Sequence, residues 1–150
     1  MNEFTMIFRI IISALLGGII GFEREVHGRP AGIRTQMLVC LGSTVFMIIS
    51  ILIAVKYKEF GPVDPTRIAA GVVTGIGFLG AGAIIRAGRS IHGLTTAASI
   101  WAVSAIGMAI GAGLYVIGFL ATGVVIAVLF LSKVERQLEL KKDDDGEKKK

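Results

Sequence analysis

Carboxylates are scarce in this sequence. Before residue 134 there are five: Glu3, Glu23, Glu25, Glu59 and Asp64. None lies at the centre of an apolar run long enough to cross a bilayer, where carriers and pumps place their ionisable groups. That scarcity argues against the chain alone being a cation carrier, although backbone carbonyls at broken helices can substitute for acids. Cysteine is nearly absent too. The one example, Cys40, lies in an apolar run and has no partner for an intramolecular disulfide. The sequence has no GKS/T phosphate loop, no HExxH, no CxxC and no nucleophile elbow, so it reads as a non-enzyme without a cofactor. Gly75-Ile-Gly77-Phe-Leu-Gly80 matches GxGxxG formally, but a dinucleotide fingerprint needs a preceding strand and a βαβ unit, and this copy sits inside an apolar run. Nucleotide and nucleic-acid binding are therefore not expected.

What the sequence does contain is apolar. Hydrophobic residues make up 53% before any of the 20 glycines is added, whereas soluble domains reach roughly 45–50% with glycine included. Mean hydropathy is +0.74. An integral membrane protein follows, with the bilayer as its first partner. The N-terminal stretch lacks a basic region and a small-x-small cleavage site, so a removed signal peptide is not expected.

A spanning helix needs roughly 20 apolar residues. Residues 4–22 give the first span, with Arg9 near one end and able to snorkel to the interface. A second runs from residue 34 or 35 to 55, and a third from 66 to 85, after an Asp64–Pro65 start signal. Residues 90–132 carry no Asp, Glu, Lys or Arg. As one helix they would be about 65 Å long at about 1.5 Å per residue, too long for a bilayer. The run must fold back at Gly111–Gly113, giving spans near 94–110 and 114–132. The fold class is an all-α bundle of five transmembrane helices over residues 1–133, with a charged tail over 134–150 that is largely disordered.

Basic residues orient it. Arg24, Arg29, Arg34, Arg86, Arg89 and the tail place twelve Lys and Arg on one side, against Lys56, Lys58 and Arg67 on the other. The positive-inside rule then puts the N-terminus outside and the C-terminus in the cytoplasm. The rule is nearly indifferent to acids, so Glu23 and Glu25 require another role. One reading is a wet interfacial ion pair with Arg24, Arg29 or Arg34, worth about 0–1 kcal/mol. The other is a partly buried Glu23 that clamps Arg34 at the start of span two. Asp64 reads as the cap of span three, with Arg67 within reach. Thr95 and Thr96, with Glu23, Arg86, Arg89 and His92, are candidates for a polar cytoplasmic vestibule. Trp101 lies well inside span four and is expected to pack against another helix.

Small residues recur at four-residue spacing: Gly17 and Gly21 in span one, Gly71 and Gly75 in span three, where Gly77, Gly80 and Gly82 follow. In lipid such faces let helix backbones approach closely. They are expected to pack the bundle and to support a homo-oligomer or a membrane-protein partner. The sharper alternative is that some of them expose backbone to a cavity or let span three break.

Three blocks, "GGIIGFERE…RPAGIRTQMLVCLGS", "DPTRIAAGVVTGIGFLGAGAIIR" and "GLTTAASIWAVSAIGMAIGAG", occur in this order. Together they resemble the MgtC/SapB family of bacterial inner-membrane proteins over about residues 5–130. The resemblance implies a multi-span domain, an N-out orientation and a link to magnesium-limited growth. For some members it implies a part in virulence, or regulation of other membrane complexes such as the proton-driven ATP synthase rather than carriage of an ion. Several members continue into a soluble ACT-like domain; here the helical blocks run into a short charged tail, and that domain is not expected. Magnesium favours oxygen ligands, one or two carboxylates with retained waters. The five acids fall on opposite sides of the expected topology, and no metal-ligand set is assigned.

Overall fold

The computed structural model describes the backbone of residues 2–61, 63–88 and 90–147, with side chains through residue 131. Five helices make up nearly all of it: α1 (Glu3–Val26), α2 (Ile33–Lys56), α3 (Thr66–Ala83), α4 (Leu94–Ala112) and α5 (Tyr115–Glu147). A 3₁₀ turn, Lys58–Phe60, follows α2. A two-stranded antiparallel hairpin, β1 (Ile85–Ala87) and β2 (Ser90–His92), links α3 to α4. The hairpin was not expected from the sequence, and it shortens span three to end at Ala83.

Each helix ends where local chemistry stops it. Asn2 caps α1 through the Phe4 amide at 3.3 Å. The α1–α2 turn uses two left-handed residues, Gly28 (φ 61°) and the non-glycine Ala31 (φ 59°). Gly113 (φ 85°) closes α4: its amide bonds the Ile110 carbonyl and the Leu114 amide bonds Ala109 at 2.8 Å, a Schellman-type stop. The Gly111–Gly113 stretch therefore turns the chain, as its excessive length required.

Helices α1 to α4 are each long and apolar enough to cross a bilayer, and residues 115–131 form a shorter apolar helix of about 26 Å at about 1.5 Å per residue. Two ring contacts fix the depth of α5. Phe8 meets Tyr115 and His27 meets Phe130, each at 6.1 Å between centroids. These contacts lie at opposite ends of α1, so α5 runs parallel to it from one side of the bundle to the other. The chain is a multi-pass membrane protein. The tail expected from residue 134 begins on α5, which continues to Glu147; its side chains lie outside the described residues.

The core joins Leu16 and Ile20 of α1, Cys40 of α2, Val103, Ile106 and Ile110 of α4, and Leu129 of α5. Glycine brings these helices together. A Cβ on Gly17 would lie 2.6 Å from the Gln36 carbonyl oxygen, and one on Gly21 would lie 2.5 Å from the Ile33 Cα. One on Gly111 would lie 2.7 Å from the Thr44 carbonyl oxygen, and one on Gly107 would run into the Cys40 carbonyl. The α3 glycines differ. Gly80 is in ordinary contact with Ala97, but Gly71, Gly75, Gly77 and Gly82 face open space among the described residues. The expectation that they pack the bundle does not hold within this chain, because only Ile76 and Gly80 of α3 are buried. Trp101 also departs from expectation: it is 55% exposed and faces outward from α4, where lipid would meet it.

Gly107→Ala should destabilise the purified protein by about 1–3 kcal/mol, the usual range for overpacking. Gly75→Ala should change stability by less than about 0.5 kcal/mol. Thermal unfolding in detergent, followed by the loss of the monodisperse peak, distinguishes the two.

Candidate functional site

Polar side chains and two glycine carbonyls line α4 at helical spacing. Thr96, Ser99, Ser104, Gly107 and Gly111 each meet a polar group from α1 or α2. Arg24 Nη2 donates to Thr96 Oγ1 at 3.0 Å, and Gln36 Nε2 donates to Ser99 Oγ at 3.0 Å. Ser43 and Ser104 share a hydrogen bond at 2.8 Å, and Thr44 Oγ1 donates to the Gly107 carbonyl at 2.7 Å. At the far end Arg9 Nη1 donates to the Gly111 carbonyl at 2.7 Å and Arg9 Nε to Tyr115 Oη at 3.2 Å. From Thr96 to Gly111 the seam covers about 22 Å at about 1.5 Å per residue. Arg9 was expected to snorkel; instead it caps the carbonyl end of α4 and lies over the Tyr115 ring at 5.8 Å.

The opposite end gathers the α1 acids. Glu23 is paired with His27, one turn on at the C-cap of α1: Nδ1 is 3.2 Å from Oε1 and 2.7 Å from the Glu23 carbonyl oxygen. The Glu23 side chain is 10% exposed. Glu25 has a separate task. Its Oε2 accepts from the Ile33 amide at 2.9 Å, which caps the start of α2, where Gly32 offers no side chain. Arg24 is 4% exposed, with its guanidinium turned into the bundle.

The sequence candidates thus separate. Arg24 and Thr96 come together; Thr95 faces outward beside them. Arg29 and Arg34 are exposed, and Glu23 turns to His27 rather than clamping Arg34. Arg86 and His92 are exposed and bond within the hairpin, Arg86 to Gly88 and His92 to Ser90. Arg89 lies outside the described residues. Asp64 sits at the other side of the bundle and caps α3: Oδ1 accepts from the Thr66 amide at 2.8 Å and from Thr66 Oγ1 at 2.7 Å. These bonds, backbone first, hold the Asp64 carboxyl below its ordinary range, with Arg67 adding a smaller charge effect. Ser50 donates to the Pro65 carbonyl and ties the start of α3 to α2.

A second feature lies between α2 and α3. An open apolar groove of about 640 Å³ is lined by Leu38, Gly42, Phe46, Gly71, Gly75 and their neighbours. No group of three or more His, Cys, Asp or Glu side chains converges among the described residues.

With this geometry in view, the comparisons are decisive. The sequence model of the MgtC family matches residues 10–137. The chain belongs to the MgtC family. YhiD of Escherichia coli K12 is 46% identical over 130 residues, covering 82% of this chain and 58% of that protein. MgtC of Brucella abortus is 47% identical over 114 residues, covering 76% and 45%. MgtC of Salmonella choleraesuis is 38% identical over 151 residues, covering 99% and 62%. The chain therefore spans about half the length of these relatives, and the matched part is the helical membrane region. No solved structure matches significantly.

Sequence reasoning missed Gln36, Ser43 and Thr44, and it took Ser99 and Ser104 no further than small and hydroxyl residues of span four. Their spacing held the signal. Positions 96, 99, 107 and 111 share one face of α4, and 36, 40, 43 and 44 share one face of α2, so polar and small residues mark a common stripe on both helices.

Two outcomes follow. In a double-mutant cycle read by thermal stability, Glu23→Gln and Arg34→Gln should be additive, whereas Glu23→Gln and His27→Gln should couple. The Asp64 carboxyl is lowered in the folded state, so its contribution is present above the unfolded aspartate value of about 3.9 and is lost as pH falls through the lower folded value. Asp64→Ala should therefore lower the melting temperature at neutral pH, with the difference from wild type narrowing in acid.

Proposed function

We propose that this chain is the membrane module of a magnesium-related MgtC-family protein that works by binding another membrane protein. It resides in the bacterial inner membrane with its N-terminus outside and its C-terminus in the cytoplasm, following its basic residues. The magnesium link is supported by family membership and by the relative named "Putative magnesium transporter YhiD". The observation that supports partner binding is the contrast between glycine faces. Those of α1 and α4 are used up inside the chain, while Gly71 and Gly75 of α3, with Gly42 of α2, line an apolar groove that stays open. In lipid an open face of small residues is suited to the backbone of another helix, from a different protein or from a second copy of this one. The reading is non-enzymatic and requires no cofactor.

The rival reading is a transporter of magnesium or another small solute. The polar seam along α4 favours it, because it joins the two ends of the bundle. Against it stand the close glycine contacts that shut the seam and the arginines at both its ends, which repel a divalent cation.

The two readings part in liposomes. The purified chain, reconstituted around a magnesium-sensitive dye, should admit no more magnesium than empty vesicles, and flux that depends on protein would overturn the binding reading. Gly71→Leu with Gly75→Leu should fill the groove and abolish co-purification of a membrane partner in mild detergent, with folding kept. Unchanged recovery of that partner would count against the groove.

A further inference from the structure

Among the described residues, three buried side-chain atoms have no hydrogen-bond partner: Glu23 Oε2, Arg24 Nε and Gln36 Oε1. Their side chains are nine-tenths or more buried, with Arg24 4% exposed and Gln36 fully enclosed. Each orphan of this kind would cost about 1–3 kcal/mol if it stayed unpaired, and more where charge is involved. All three belong to one end of the polar seam. Glu23 and Arg24 are consecutive on α1. Arg24 and Gln36 are anchored through their other atoms to the same turn of α4, at Thr96 and Ser99, and Ser99 Oγ itself donates to the Thr96 carbonyl at 2.8 Å. Thr96 and Ser99 are about 4.5 Å apart along the helix at about 1.5 Å per residue. Arg24 and Gln36 thus reach α4 within one turn of each other, and water is the smallest group that hydrogen-bonds to several neighbouring polar atoms at once.

The chemistry of the orphans narrows the ligand. Together they offer one donor, the Arg24 Nε–H, and two acceptors, a carboxylate oxygen and an amide oxygen. A bare cation would satisfy the two acceptors but would meet the guanidinium. An anion would satisfy the donor but would meet Glu23 and the Gln36 carbonyl. The charges of Glu23 and Arg24 already offset each other, so no counter-ion is called for. We propose that this end of the seam holds a resident water that accepts from Arg24 Nε and donates to Gln36 Oε1 and Glu23 Oε2. Buried waters in proteins typically make about three such bonds. Its place gives the Glu23 carboxylate a hydrogen-bonded link into the Arg24–Thr96 and Gln36–Ser99 pairs. This assignment is independent of whether the chain binds a partner or moves a solute.

Pulsed hydroxyl-radical footprinting of the full chain in lipid nanodiscs tests it. Radicals formed from a resident water oxidise the side chains beside it. Cys40, fully buried and one turn along α2 from Gln36, is the reporter, the exposed Tyr57 is the control for dose, and thermal unfolding of each variant is the control for folding. Cys40 should be oxidised promptly in the wild type. Gln36→Leu should lose that oxidation with Tyr57 unchanged, and Glu23→Gln, which keeps an acceptor oxygen, should retain it. Millimolar magnesium chloride should leave the wild-type rate unaltered. Unoxidised Cys40 in the wild type overturns the proposal whatever the variants do. So does oxidation that persists in folded Gln36→Leu, and so does protection by magnesium, which would assign the site to a cation.

Discussion

Everything in this bundle depends on α4 lying against α1 and α2 with almost nothing between the backbones. Gly107 and Gly111 remove the Cβ atoms that would strike Cys40 and Thr44, and Gly17 and Gly21 do the same between α1 and α2. In water, apolar burial alone would draw such helices together. In lipid it gives little drive, and close packing with interhelical hydrogen bonds has to supply the attraction. The short approach distance makes those bonds possible. Serine and threonine reach only a few ångströms, so Ser43–Ser104 and Thr44–Gly107 form only because the glycines let the helices meet.

The polar seam is therefore structural before it is anything else. Each of its members is bonded to a neighbouring helix, and the two arginines bond helix carbonyl or hydroxyl groups at its ends. Its finish differs from end to end. Arg9 closes α4 against Tyr115 through protein groups alone, whereas at the Glu23–Arg24–Gln36 end three buried atoms find no partner among the described residues. A buried network that is fully satisfied rigidifies a fold, and one that is partly satisfied calls for a further group. That asymmetry sets the α1–α2 end of the seam apart as the place where the proposed water completes the network.

Helix α3 stands outside this logic. It touches α4 through Gly80 and Ala97 and is tied to α2 by Ser50, yet most of its surface is open. Gly71 and Gly75 satisfy the same spacing rule as the glycines of α1 but meet nothing among the described residues. Spacing alone establishes that a face is smooth. It does not establish which neighbour uses it.

Composition and run length were enough to specify five apolar helices, the reversal at Gly111–Gly113 and the capping of α3 by Asp64. Each of these is decided locally, by hydrocarbon thickness, by left-handed glycine or by a side chain bonding its own helix end. Three motif blocks were enough for the family. The partners of the polar residues were not legible, because a hydrogen bond between Gln36 and Ser99 joins positions 63 apart and depends on how two helices rotate against each other. The same holds for Glu23, whose choice of His27 over Arg34 turns on Arg34 facing outward, and for Arg9, whose carbonyl partner lies 102 positions away in α4. The sequence by itself determined how many apolar helices there are and roughly where they lie, though not the hairpin that ends α3 at Ala83 or the continuation of α5 to Glu147. Only the tertiary structure decided which faces meet, because helix rotation and close approach are properties of the packed bundle and of no single segment.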